Sequence, residues 1–259
     1  MGDPYVSIVI LTNQAYPEVV KQINAQTFKQ FEIIIAREKG IVNAMNNALK
    51  RAKGQVLVRI DDDVRIPREW LQNIVKTFAS SYVGGVTGPT YVPYDRREYR
   101  DSIKAFEKPN WFLRWLCDNE FKPSGIRKCG MVSYDSNYQE RHNSYKTLCV
   151  ECDHLEGTNW AMRTELIRRV GGFDPAFDGV AEWFDTDVEQ KVLKLGYKLM
   201  YNPSAYLYHM LEEAPTYRDR FGDWSRIKNW LRFHKRHSKF HYKMVVWLCL
   251  LISYTIFRR

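Results

Sequence analysis

Short apolar runs alternate with helical stripes through the first ninety residues. The runs at 6–11 (VSIVIL), 31–35 (FEIII) and 55–60 (QVLVRI) are rich in β-branched residues and almost unbroken. Strands buried on both faces of a parallel sheet have that pattern. Between the first two, YPEVVKQINAQ carries Pro17 where a helix would start. Between the second and third, Val42, Met45 and Leu49 share one helical face, and Gly54 closes the segment. Pro67 opens another helix, with Leu71, Ile74, Val75 and Phe78 at i, i+3, i+4 and i+7. VGGVTGPTYV then reads as a glycine-rich fourth strand. The pattern is βαβαβ, and it predicts an α/β fold with a doubly wound, mostly parallel sheet flanked by helices.

Periodicity is lost from 94 to about 150, where aromatics mix with charges (REYRDSIKAFEKPNWFLRWLCDNEF). Five Trp/Phe side chains from Phe106 to Phe121 need burial, so this stretch is expected to be a partly helical excursion lining a groove rather than a linker. Regular structure returns at LEGTNWAMRTELIRRVGGFDPAF. A helix is predicted from near Asp185, with Val188, Val192 and Leu195 on one face and Gly196 as its stop. YKLMYN and AYLYH read as two short strands. The expected organisation is residues 1–93 as a βαβ half, 94–216 as the second half of the same domain, and 217–259 as a C-terminal tail.

A chain of 259 residues with 45% hydrophobic and 14% aromatic side chains can build a full core, which excludes disorder as its native state. Charge refines the reading of the tail. Residues 217–259 hold eleven Lys/Arg against Asp219 and Asp223, a local +9 that equals the formal charge of the whole chain. The tail then turns apolar, with Met244 to Phe257 free of charge for fourteen residues. About 20 residues are needed to span a bilayer, so an interfacial helix on an anionic membrane surface is expected, with Trp230, Trp247 and Tyr254 suited to the boundary. A helix packed on protein is the alternative. Nucleic acid is not an expected partner, because a basic arm for that purpose has no use for an apolar end. No signal peptide is evident at the start, so a cytoplasmic protein, peripheral on the cytoplasmic face of a membrane, is expected. Its five cysteines are expected to be reduced thiols, since Cys149 and Cys152 form only one of the two close pairs a structural zinc usually takes.

The chemistry begins at Asp61, Asp62 and Asp63, three adjacent carboxylates at the end of a predicted buried strand. They repel one another and lose hydration near a protein interior. A bound cation, a cationic partner from elsewhere in the chain, or solvation in a loop would each relieve this. Ligands of open α/β sheets bind outside the carboxyl ends of the strands, which favours a site.

Taken in order, VSIVILT, GIVNAMNNALKRAKGQVLVRIDDDV, LEGTNWAMRTELIRRVGGFDPAF and EWFDTDVEQKVLKLGYKLMYNPSAYLYH resemble the family 2 nucleotide-sugar glycosyltransferases, of GT-A fold. The resemblance spans residues 6 to 209. It implies an inverting, metal-dependent transfer of a hexosyl group from a nucleoside-diphosphate sugar to a hydroxyl of a glycan or lipid-linked acceptor. Asp61 and Asp63 match the family's D-x-D, with Asp61 towards the ribose, Asp63 on the metal and Asp62 between them. His209 matches a histidine that completes the metal shell. Imidazole suits Mn²⁺ better than Mg²⁺, so the implied cofactor is Mn²⁺ or Mg²⁺ with a lean to the former. Asp185 aligns with the catalytic base and Asp187 with the second acid. Gly157, Asn159 and Trp160 fall in the segment beside sugar and acceptor, Thr12 and Asn13 on the nucleotide side, and Asn46 near the diphosphate.

Two departures from the family pattern matter. The Glu that usually precedes the base is Phe184 here, which leaves Glu182 as the alternative base. The acidic, Ser-rich turn after the second strand is replaced by IIIAREKGI, so Arg37, Glu38 or Lys39 takes over the base contact, or backbone does. Arg218 and Arg220 are candidates for a lid over the diphosphate. A sugar nucleotidyltransferase is the enzymatic alternative, but TNQAYPEV lacks the glycine-rich phosphate loop that reading needs.

Overall fold

The computed structural model describes residues 4–14, 17–91, 111–116, 124–130, 132–134, 148–210 and 223–257. Among them, the elements in chain order are β1 (Val6–Leu11), α1 (Val19–Asn24), β2 (Phe31–Ala36), α2 (Ile41–Arg51), β3 (Val56–Asp61), β4 (Val64–Arg65), α3 (Trp70–Thr77), β5 (Val83–Thr87) and β6 (Thr90–Tyr91). There follow α4 (Trp111–Leu116), β7 (Ser124–Ile126), β8 (Val132–Tyr134), β9 (Val150–Cys152), β10 (Asn159–Arg163), α5 (Thr164–Arg169), α6 (Phe184–Lys194), β11 (Lys198–Tyr201), β12 (Leu207–His209), α7 (Ser225–His237) and α8 (Tyr242–Phe257).

The main sheet of the described residues has seven strands in the order β2-β1-β3-β10-β5-β11-β9. β1 is parallel to both β2 and β3, and β11 is parallel to β5, while β10 runs antiparallel between β3 and β5. With β9 antiparallel to β11, five of the seven strands point one way. The expected mostly parallel sheet is therefore present. The antiparallel strand at its centre was not anticipated, because NWAMR is short and runs directly into a helix.

Alternation along the strands divides the core into two layers. Ile8 and Ile10 of β1, with Val58 and Ile60 of β3, pack on Val19 and Ile23 of α1 and on Trp70, Leu71 and Ile74 of α3. Val9 and Leu57 face the other way, onto Met45 and Leu49 of α2, Leu166 and Ile167 of α5, and Val188 and Val192 of α6. Helices thus cover both faces, as continuous apolar strands require.

The segment expected to be a tail is built into this body from residue 225 onward. Phe233 of α7 joins the same core layer as α2 and α6. Ile227 and Trp230, on the next flank, pack against Met244 and Leu251 of α8. Most of the aromatic excursion after residue 93 lies outside the described residues, as do Arg218 and Arg220.

Candidate active site

Register sets the ends of three strands level, with Leu11 of β1 opposite both Ala36 of β2 and Asp61 of β3. β10 runs the other way and begins opposite Ile60, so the turn that feeds it, Gly157 and Thr158, arrives at the same rim. This is the carboxyl edge where α/β sheets hold ligands. A three-stranded sheet, β4-β12-β6, closes one side of it. There His209 pairs with Val64, and the Met210 N–H donates to the Asp63 carbonyl at 2.9 Å.

Asp61, Asp63 and His209 each turn a ligand atom inward so that all three lie within 4.8 Å of one another. His209 Nε2 stands 3.1 Å from Asp63 Oδ1 and 4.0 Å from Asp61 Oδ2. His209 Nδ1 is buried with no hydrogen-bond partner, so the ring directs its polar contact into the cluster. Two carboxylates and an imidazole form a donor set for a divalent ion of the Mn²⁺ type. The middle carboxylate does different work: Asp62 Oδ2 accepts the Thr12 hydroxyl, tying the end of β3 to the end of β1. Asn13 is exposed beside it, and Arg37 Nη2 donates to the Gln14 carbonyl at 2.8 Å across the β1 and β2 ends.

Asp185, in the first turn of α6, faces this cluster through Arg59. The Arg59 guanidinium donates to Asp185 Oδ2 at 2.9 Å and has its other nitrogen 3.8 Å from Asp61 Oδ1. Its plane also lies over the Phe184 ring, 5.3 Å from the centroid. Thr158 Oγ1 donates to Asp61 Oδ2 at 3.0 Å. Neither Arg59 nor Thr158 was singled out from the sequence. The available signal for Arg59 was a lone cation inside an otherwise apolar strand. Gly157 has a specific role here: a Cβ at that position would lie 3.1 Å from Asp185 Oδ2 and 3.3 Å from Arg59 Nη1. Its lack of a side chain makes room for the ion pair.

α6 starts from an unusual backbone. Trp183 has φ 75° and Ala181 φ 55°, the left-handed region that costs a residue with a Cβ roughly 1–3 kcal/mol. Packing holds Trp183 there: its ring lies 4.6 Å from Phe233 and 5.1 Å from His234 of α7, centroid to centroid. Glu182, the alternative base, accepts from Arg226 Nε at 2.9 Å and so is engaged with α7.

Several other expected site residues are engaged with protein partners, three of them in the interior. Asn159 is fully buried; its Oδ1 accepts the Trp70 indole N–H, and its Nδ2 donates to the Ala205 carbonyl at 2.7 Å. Trp160 is fully buried, and its indole donates to Glu189 Oε1 at 2.9 Å. Asp187, also fully buried, is held by Lys191 at 2.6 Å, His237 at 2.7 Å and Arg236 at 3.3 Å. Burial alone would raise its pKa, but His237 and Lys191 prevail and bring it to about 2. Asn46 clasps the Phe173 backbone, accepting its N–H at 3.0 Å and donating to its carbonyl at 2.7 Å. A buried role is the one Trp160 was expected to have, and for Asn159, Asp187 and Asn46 polar side chains in such segments look alike whether they serve a ligand or a protein network.

Behind Asp185 lies a buried ion pair. His154 Nδ1 is 3.0 Å from Glu189 Oε2, which also accepts the Leu155 N–H at 3.1 Å. Burial opposes the charged imidazole, yet the Glu189 carboxylate in contact more than offsets it and lifts His154 to about 9.

An α/β sheet of this topology with paired aspartates at its carboxyl rim defines a class, and comparison with known proteins assigns the family within it. Residues 7–140, just over half of the chain, match the family model described as glycosyl transferase family 2. The chain belongs to that family and has the GT-A fold. It is similar in structure to the mannosyltransferase PcManGT from Pyrobaculum calidifontis, solved in complex with GDP-Man and Mn²⁺. The TM-score there is 0.57 at 17% identity, over 98% of this chain and 70% of that one. It is also similar to GalNAc-T7, solved with UDP, GalNAc and Mn²⁺, with a TM-score of 0.58 at 14% identity over 90% of this chain. The match spans 48% of that protein, about half its length. No curated protein matches the sequence significantly.

Proposed function

We propose that the protein is an inverting, metal-dependent glycosyltransferase that moves a hexosyl group from a nucleoside-diphosphate sugar to an acceptor hydroxyl. The observation that carries this is the convergence of Asp61, Asp63 and His209 on one side of Arg59 and of Asp185 on the other. The GDP-Man and Mn²⁺ of one structural neighbour, and the UDP, GalNAc and Mn²⁺ of the other, support the donor and metal classes. Asp61, Asp63 and His209 would hold Mn²⁺ or Mg²⁺, which when bound supplies positive charge against the departing diphosphate. Thr12, Asn13 and Arg37, at the ends of β1 and β2, bound the nucleotide side in this reading. Asp185 takes the proton of the attacking hydroxyl, which needs a carboxylate within hydrogen-bond reach of the acceptor. One displacement at the anomeric carbon, with Asp185 as the base and the nucleoside diphosphate leaving from the opposite side, inverts the configuration there.

In the same reading the acceptor is a glycan or lipid-linked hydroxyl at the cytoplasmic face of a membrane. The charge of residues 217–259 and the apolar α8 support this. No helix among the described residues is long and apolar enough to cross a membrane.

A panel of nucleoside-diphosphate sugars, each with and without Mn²⁺, tests the reading by thermal stabilisation and by sugar release. One or more donors are expected to stabilise the protein only with the metal. Asp63→Ala is expected to lose that metal-dependent stabilisation and transfer while keeping its fold. Full activity of Asp63→Ala in EDTA would contradict the metal role.

A further inference from the structure

α8 is apolar on every side, but protein covers only part of it. Met244 and Leu251 pack on Ile227 and Trp230 of α7, with Trp247, Leu248 and Ile252 partly buried alongside. Val246 and Trp247 meet Phe112 and Leu116 of α4. The opposite face carries Tyr242, Val245 and Ile256 at 48–56% exposure, and Phe240 just before the helix reaches 80%. A helix that is hydrophobic all round belongs in a core or against lipid.

The bare face does not end with α8. Trp111 of α4 is 78% exposed and Trp115 39%. Ring contacts run from Trp111 to Phe112 (6.0 Å), Phe112 to Trp115 (5.7 Å) and Trp115 to Tyr242 (6.1 Å). Lys243 fixes the junction, donating to the Trp115 carbonyl with its ammonium 5.0 Å from that ring's centroid. Segments more than a hundred residues apart thus build one aromatic and aliphatic surface.

Charge identifies the occupant. The outer face of α7 presents Lys228, Leu231, Arg232, Lys235 and Arg236 around a depression of about 640 Å³; Arg236 is ion-paired with Asp174 and Asp187, so the cations offered there are Lys228, Arg232 and Lys235. Lys239 is exposed on the connection to α8. Cations on α7 and its connection to α8, together with an exposed apolar face with tryptophans, match an anionic bilayer, which attracts Lys and Arg to its surface and takes indole rings at the headgroup level. The 16 residues of α8 extend only about 24 Å at 1.5 Å each, short of a hydrocarbon core of about 30 Å.

We infer that the α4–α8 face is a membrane-docking surface: Trp111, Trp115, Phe240, Tyr242 and Val245 enter the boundary of an anionic bilayer, α8 lies in its plane, and the α7 cations meet the headgroups. The inference deepens the membrane reading above, and its test needs no donor. Failure of docking therefore leaves the transfer reaction standing, and failure of transfer leaves docking standing.

The test is flotation of the full-length protein with phosphatidylcholine vesicles with or without phosphatidylglycerol, at low and high salt. Binding is expected to the anionic vesicles only and to weaken with salt. Trp111→Glu combined with Val245→Glu is expected to lower the partition by about tenfold or more, the scale of losing buried apolar groups from a lipid interface. Lys228→Glu with Lys235→Glu is expected to act at low salt. Unchanged thermal unfolding shows that each variant folds. Absence of binding by the full-length protein at low salt overturns the proposal, and so does full binding by the Trp111/Val245 variant. Light scattering that shows a dimer, made monomeric by the same two substitutions, also overturns it and assigns the face to a second copy.

Discussion

Asp185 and Glu182 are both acidic residues at the start of α6, but they have different partners. Asp185 is bridged by Arg59 to Asp61, whereas Glu182 is bound by Arg226. Asp185→Asn keeps the shape and removes the proton acceptor, so turnover is expected to fall about 10²- to 10⁴-fold with donor binding little changed. Glu182→Gln is expected to stay near wild type; the reverse result in steady-state kinetics would transfer the base role to Glu182. Arg59→Lys retains a charge but not a planar fork able to reach two carboxylates. Its kcat is expected to drop about tenfold, a value set by the loss of one charge-assisted contact, and the thermal midpoint should move little. At this scale the sequence was informative where a charge stood at a strand end, as at Asp61, Asp63 and His209. It was silent on the partners of Asn159, Trp160 and Asn46, which come from distant segments. No local pattern reveals that the Asn159 amide is already occupied by Trp70 and Ala205.

Among the elements, α7 acts on the site through α6. Its Phe233 and His234 brace Trp183 in the left-handed turn that aims Asp185, and its Arg236 and His237 neutralise Asp187 of α6. His234 is buried against the β7–β8 connection, with Nε2 3.0 Å from the Gly130 carbonyl. Burial depresses it to about 4; the Gly130 carbonyl acts against this and His237 with it. A histidine depressed from 6.5 contributes stability that is complete above pH 6.5 and is lost as pH falls from 6.5 through about 4. The loss is on the order of 3 kcal/mol at most, at about 1.4 kcal/mol per pH unit. In calorimetry the wild type is expected to lose thermal stability across that window, and His234→Gln to show a shallower slope there. Equal slopes would remove His234 from the explanation. The periodicity of α2, α3 and α6 was legible because each has one apolar stripe. α7 was read as tail because its cations dominate a linear count, although Ile227, Trp230 and Phe233 already marked a buried side.

At the scale of the whole molecule, the α/β class and the carboxyl-edge site were legible because continuous β-branched runs admit few other folds. The strand order was not. β10 had no long apolar run to announce it, and its pairing depends on contacts across roughly a hundred residues to β3 and about 75 to β5. β3 and β5 are close in sequence and share a direction, yet they do not touch; β10 stands between them. During synthesis the chain emerges from its amino end, so β1, β2, β3 and β5 leave the ribosome well before the strand that joins them. Until residue 163 has been made, β3 and β5 each present an unpaired apolar edge, the kind of surface that seeks another chain. The nascent protein therefore passes through a stage in which the carboxyl rim of its sheet is half built, and the join between β3 and β5 waits on five residues, Asn159–Arg163, that carry the turn of Gly157 and Thr158 into place.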